Sequence, residues 1–267
     1  MPTILFRKSL SEEGELEVCR KYFHTIEQRS LINPDSLIIG RYSVLPYYKE
    51  LEQDITILGS DLINTYKQHK WIADFEYYNV LKKYTPETRY EQDFYKCDYS
   101  GPFVVKGKTN SRKLNWDTEM FATTKKDATK IAGILHNDGY IGSQDIIFRK
   151  YIPLKTYEIG IHNLPFTNEW RIFCYKDKIL SRGYYWSCAS EQTIDSATLY
   201  DAGENLIREL VKIASQYVNF YVLDVAQTQE GNWILIEIND GQMSGLSENN
   251  PDVLYKNLAR VITEEYR

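Results

Sequence analysis

The residues best suited to chemistry lie between Tyr221 and Asn239, in the stretch YVLDVAQTQEGNWILIEIN. Glu230-Gly231 reads as a two-residue hairpin loop, which sets Gln229 opposite Asn232 and Asp224 directly across from Glu237. Side chains so opposed share a face, with β-carbons about 4.5–5.5 Å apart. Asn239 falls on that face too, because strand side chains alternate, and Ile234, Ile236 and Ile238 are expected on the other, buried one. Two opposed carboxylates repel unless one is protonated or a cation lies between them. A solvated edge hairpin would also tolerate them, but these acids sit inside strongly apolar strands. An oxygen-only set of this kind suits Mg²⁺ or Mn²⁺ better than zinc, and Mg²⁺ commonly combines one or two carboxylates with waters and substrate phosphates.

Phosphates held by such a metal need cationic partners. Lys106 closes the apolar run FVVK just before the polar segment KTNSRK, and an ammonium beside loop amides suits a polyphosphate. The phosphate loop GxxxxGK[ST] is absent. At 149–152, RKYI offers Lys150 as a second cation and the backbone around Tyr151 and Ile152 as an edge that can read adenine. In EWRIF, Glu169 and Arg171 share one strand face; Arg171 can grip a phosphate or carboxylate through its planar fork, or simply pair with Glu169 at the surface.

Elements that could carry these residues are readable from periodicity. ILF at 4–6 and SLIIGRYSVL at 36–45 read as strands, ITILG at 55–59 as a weaker third, and SEEGELEVCRKYFHTI as a helix capped by Ser11. Their alternation suggests a small α/β unit over residues 1–98. Then come the strand PFVVKG, the segment KTNSRKLNW with the look of a mobile loop, and a helix with Ala128, Ile131, Ala132 and Leu135 on one face. DIIFRKYI reads as a strand, EWRIFCYKDKILSRGYYW as a hairpin, and NLIRELVKIASQYV as the helix before the acid-bearing hairpin. Asn250 caps a last amphipathic helix with Pro251 at its first position.

Composition excludes several classes. Lys and Arg total 32 against 37 Asp and Glu, a formal charge of −5, which disfavours sequence-independent binding to nucleic acid or to an anionic membrane. No run reaches the roughly 18 apolar residues of a membrane span, and the start resembles no signal peptide, so a cytoplasmic location is expected. Cys19, Cys97, Cys174 and Cys188 form no CxxC pair, and the four histidines no local cluster; zinc and nucleophilic cysteine are disfavoured. Only 14 glycines accompany 22 tyrosines, which fits the lack of a glycine-rich phosphate loop.

In order, VVK, RKYI, EWRIF and LDV followed by LIEIN resemble the ATP-grasp superfamily: Glu237 follows Asp224 by 13 positions and Asn239 follows Glu237 by 2, as in its metal motif. EINDGQMSGL is similar to the phage and bacterial clade named for an arginine and two lysines. The resemblance implies an α/β (α+β) ATP-grasp fold over residues 99–267, with subdomains of about 99–155 and 156–267 clasping ATP behind a small α/β domain. By position, Lys106 and Lys150 would contact phosphates and adenine, Tyr151 and Ile152 would line the adenine site, and Asp224, Glu237 and Asn239 would hold Mg²⁺. Arg171 would face the transferred phosphoryl group or the acyl phosphate, and Glu158 the ribose. Arg149 stands where many members carry glutamate, Val222 where many carry arginine, KTNSRK where many have glycines; an upstream lysine would be Lys82 or Lys83. The activity implied is ADP-forming carboxylate–amine ligation through an acyl phosphate, on small-molecule or peptide substrates. A kinase-like phosphotransferase and a nucleotide-binding regulatory module without turnover are the alternatives.

Overall fold

A computed structural model describes residues 2–7 and 14–265. Its first sheet, ordered β2-β1-β3-β4, is parallel throughout: β1 Thr3–Phe6, β2 His24–Ile26, β3 Leu37–Arg41 and β4 Asp61–Leu62. The helix expected over 11–26 is confined to Glu15–Cys19, because His24–Ile26 pairs with β1; Ser11 lies outside the described residues. The strand expected at 55–59 is a helix, Tyr48–Ile57. Leu51 and Ile55, four apart, are buried on its inner face while Ile57 is exposed, a helical rather than an alternating pattern.

The second sheet, ordered β5-β8-β6-β7, is antiparallel: β5 Thr88–Tyr90, β6 Phe103–Gly107, β7 Phe121–Ala122 and β8 Ile146–Lys150. The helix Lys125–His136, capped by Thr124, buries Ala128, Ile131, Ala132 and Leu135 against it. Thr88–Tyr90 thus joins this sheet from a position ahead of residue 99.

A small hairpin, β9 Thr156–Ile159 and β10 Pro165–Thr167, leads into the third large sheet. Its order is β12-β11-β13-β14: β11 Glu169–Tyr175, β12 Lys178–Tyr184, β13 Phe220–Gln227 and β14 Trp233–Asp240, all antiparallel. One face, with Ile172, Cys174, Leu223 and Val225, packs on the helix Asp201–Ala214. The opposite face is divided along its length. At one end Phe173, Tyr175, Phe220 and Val222 pack with the first sheet and with Leu254, Leu258 and Ile262 of the helix Pro251–Glu265. At the other end the same alternation presents Glu169, Arg171 and Asp224. One strand face therefore supplies both core and charge.

Candidate nucleotide and metal site

Asp224 pairs with Glu237 across β13 and β14, but by a different route from the expected one. The Thr228 amide donates to the Asn232 carbonyl at 2.7 Å, so the loop is three residues, Gln229 to Gly231, and Asn232 faces Thr228 rather than Gln229. Gly231 adopts φ 92°, the left-handed position that such a loop assigns to glycine. A bulge between Asp224/Val225 and the opposing strand then restores the register, with Ile236 as the extra residue. Ile238 stays in the core, whereas Ile234 and Ile236 line a cavity instead of the buried face. The Ile236 carbonyl, left out of the ladder, accepts from Arg149 Nη1 at 2.7 Å. Arg149 also donates to Thr85 and Thr88 and so ties the second sheet to the third.

Around this bulge the predicted residues converge. Arg171 grips Asp224 bidentately, Nε to Oδ1 at 2.9 Å and Nη2 to Oδ2 at 2.8 Å, and its Nη1 donates to the Gly245 carbonyl at 2.9 Å. Asn239 Nδ2 donates to Asp224 Oδ2 at 3.1 Å. Lys106, 4% exposed, has its ammonium ion-paired with Glu237. Burial works against the charge on Glu237, but Lys106 and Lys113 outweigh it and hold the carboxyl far below the usual range. Each opposed acid thus has its own cation.

Two cavities meet here. The larger, about 600 Å³, lies between the first sheet's connections, the segment Thr109–Asn115 and the turn after β14, with Arg171, Glu237 and Asn239 in its wall. The narrower is more apolar: Val104, Met120, Tyr151, Ile152, Leu164, Trp186, Ile234 and Ile236 surround Lys106, Arg149, Lys150 and Glu169. Lys113 and Glu237 border both. The segment KTNSRKLNW, expected as a mobile loop, is tethered instead: Arg112 pairs with Asp138, Lys108 with Asp145, and the Thr109 amide donates to Gln144 Oε1 at 3.1 Å.

The remaining predictions divide. Tyr151 and Ile152 line the narrow cavity, yet the Tyr151 amide donates to Pro102 O, so the backbone edge there is partly occupied. Lys150 borders the same cavity with its ammonium over the Tyr99 ring. Glu158 is not brought to either cavity; its carboxylate accepts from Ser190 and Thr193. Glu169, by contrast, borders the narrow cavity. It is 4% exposed, its Oε1 has no hydrogen-bond partner among the described residues, and burial pushes its carboxyl up to about 7. The surface pair of Glu169 with Arg171, the alternative reading of EWRIF, does not form: Glu169 is a buried acid at the narrow cavity, and its alternation with Arg171 was the available signal. Lys113 gave no such signal, because only the fold carries its segment to Glu237.

A family model of the ATP-grasp domain, family 3 of the clade named for an arginine and two lysines, matches residues 94–258. The chain belongs to the ATP-grasp superfamily. Solved structures share the ATP-grasp fold along nearly the whole chain at low identity. A RimK domain protein ATP-grasp from Sphaerobacter thermophilus is 12% identical, with a TM-score of 0.61 and coverage of 98% of this chain and 100% of that one. D-alanyl-alanine synthetase A from Vibrio cholerae is 12% identical, with a TM-score of 0.56 and coverage of 99% and 98%. The ATP-grasp ligase PsnB, solved with a minimal precursor, Mg and ADP, is 10% identical, with a TM-score of 0.58 and coverage of 99% and 98%. No protein of curated function matches the chain in sequence. Among the described residues of this ATP-grasp protein, no helix is long and apolar enough to cross a membrane.

Proposed function

We propose that this ATP-grasp protein is an ATP- and Mg²⁺-dependent carboxylate–amine ligase. The observation that carries the reading is that Lys113 and Glu237 stand in the wall shared by an apolar cavity and a larger polar one. A nucleotide whose base enters the apolar cavity would present its terminal phosphate at that wall, toward a substrate in the larger one. Tyr151, Ile152 and Trp186 would hold the base, and Glu169 would accept from the sugar hydroxyls. Lys106, Lys113 and Lys150 would neutralise the phosphates. PsnB, solved with Mg and ADP, and D-alanyl-alanine synthetase support the class of reaction.

The donor set suits magnesium. Glu237 and Asn239 offer hard oxygens at the larger cavity, whereas Asp224 is fully buried, lines neither cavity and uses three of a carboxylate's roughly four lone-pair sites on Arg171 and Asn239, so its part is to position those two side chains. When bound there, magnesium supplies charge neutralisation for the transferred phosphoryl group. The chain's own part is positional: Arg171, its fork on Asp224 and its Nη1 on Gly245 O, is held as a fixed positive charge in the wall of the larger cavity, and Lys113 borders both cavities. A substrate carboxylate in the larger cavity attacks the γ-phosphate, ADP leaves, and an amine displaces phosphate from the acyl phosphate.

The test is to incubate the protein with ATP, Mg²⁺ and a pooled library of metabolites and peptides, then weigh the products. ADP with a dehydrated adduct is expected. ADP with a phosphorylated adduct would replace the ligase by a kinase, and AMP would contradict both.

A further inference from the structure

The larger cavity holds a histidine that the phosphate and metal residues do not use. His69 lies on the helix Tyr66–Ala73, whose start is fixed by a capping box of Thr65 and Gln68. Its imidazole stacks on Tyr48, ring centroids 4.0 Å apart and planes within 8°, and its Nδ1 meets Asp240 Oδ2 at 3.1 Å. The other oxygen of Asp240 accepts from Asn64 Nδ2 and from the Gln242 amide, each at 3.0 Å. A carboxylate surrounded by donors takes Nδ1 as a donor as well, which leaves the lone pair of the neutral ring on Nε2. Among the described residues Nε2 has no hydrogen-bond partner, and both His69 and Asp240 border the cavity.

We propose that His69, oriented by Asp240, is the general base that takes the proton from the attacking amine. The assignment rests on the ligase reading above. As the amine's lone pair forms the C–N bond, the acyl C–O bond breaks and its electron pair leaves with phosphate. The nitrogen sheds a proton to Nε2, and the imidazolium returns it to solvent. No other titratable group of that wall suits the task. Arg112, Lys113 and Arg171 are cations, Glu237 is held ionised far below the usual range, Tyr140 is an exposed phenol at the rim, and burial raises Tyr185. Asp240 already accepts from Asn64, from His69 and from both the backbone and the side chain of Gln242. An imidazole whose Nδ1 is engaged and whose Nε2 lone pair is free can accept a proton at that atom.

His69→Asn separates this role from a structural one, because the asparagine amide can still donate to Asp240 while Nε2 is lost. Wild type, His69→Asn and His69→Gln are given ATP, Mg²⁺ and a pool of proteinogenic amino acids and dipeptides, with and without hydroxylamine. Hydroxylamine is largely unprotonated at neutral pH and needs little help from a base. Both variants are expected to form hydroxamates at close to the wild-type rate while amide products fall about 100-fold, the lower range for general-base contributions. Amides at the wild-type rate would overturn the assignment, as would an equal loss of hydroxamate and amide. Wild type that forms neither product would overturn the ligase reading and this assignment with it.

Discussion

Glu169 is a carboxyl without a cation of its own, and its behaviour with pH follows from that. Its folded-state value of about 7 lies above the ordinary 4.5, so its stabilising contribution is complete below about pH 4.5 and is lost as pH rises through about 7. Glu169→Gln should therefore raise stability near pH 8 by at most roughly 3 kcal/mol, the equivalent of the shift, and leave it nearly unchanged near pH 5. Denaturant melts at both pH values check this; a difference independent of pH would contradict it. Asp224 is the opposite case, fully buried and gripped by Arg171. Asp224→Asn should cost about 3–5 kcal/mol by leaving a buried guanidinium without its counter-charge, seen as a lowered melting temperature. Loss of turnover in that variant would then report folding as well as chemistry. The types and order of Lys106, Arg171, Asp224, Glu237 and Asn239 were legible because each sits at a fixed step of a strand. Glu158 borders neither cavity, and its distance from RKYI along the chain could not say which way the β9–β10 hairpin turns.

At the scale of elements, the acid pair was predicted in the right register through two offsets that cancel. A loop one residue longer than expected shifts the pairing by one, and the Ile236 bulge shifts it back. Neither is visible in an alternating apolar pattern, since WILIEI is apolar at nearly every position. Periodicity likewise failed at 55–59, where a short apolar run belongs to a helix whose upstream turns are polar. The turn that follows β14 offers a further test. A β-carbon on Gly183 of β12 would lie 2.3 Å from the Asn249 amide nitrogen, and this same turn supplies Gly245 O to Arg171 and Glu248 N to Tyr184 O. Gly183→Ala should destabilise by about 1–3 kcal/mol or more and slow ATP turnover, because the turn must lift and loosen Arg171. A variant with unchanged melting temperature and turnover would show that the turn does not position Arg171.

For the whole molecule, a net charge of −5 conceals a local balance. Arg171 faces Asp224 and Lys106 faces Glu237, with Lys113 and Glu169 beside them. The fold family was readable because four motifs fall in order along the chain. The larger cavity was not, since His69 and Lys113 reach it from segments more than forty residues apart that no local pattern connects. On the proposed function, Glu237, at the wall between the cavities, takes part in holding magnesium and the nucleotide's phosphates. Thermal unfolding with and without Mg²⁺ and ATP tests it most directly. Ligand at about 100 times its dissociation constant adds roughly 2.7 kcal/mol, a rise of several degrees in a chain of this size. Wild type should show that rise with Mg²⁺ and ATP together, and Glu237→Gln should lose most of the magnesium-dependent part. No shift at millimolar Mg²⁺ and ATP, or the same magnesium-dependent rise in Glu237→Gln, would contradict it.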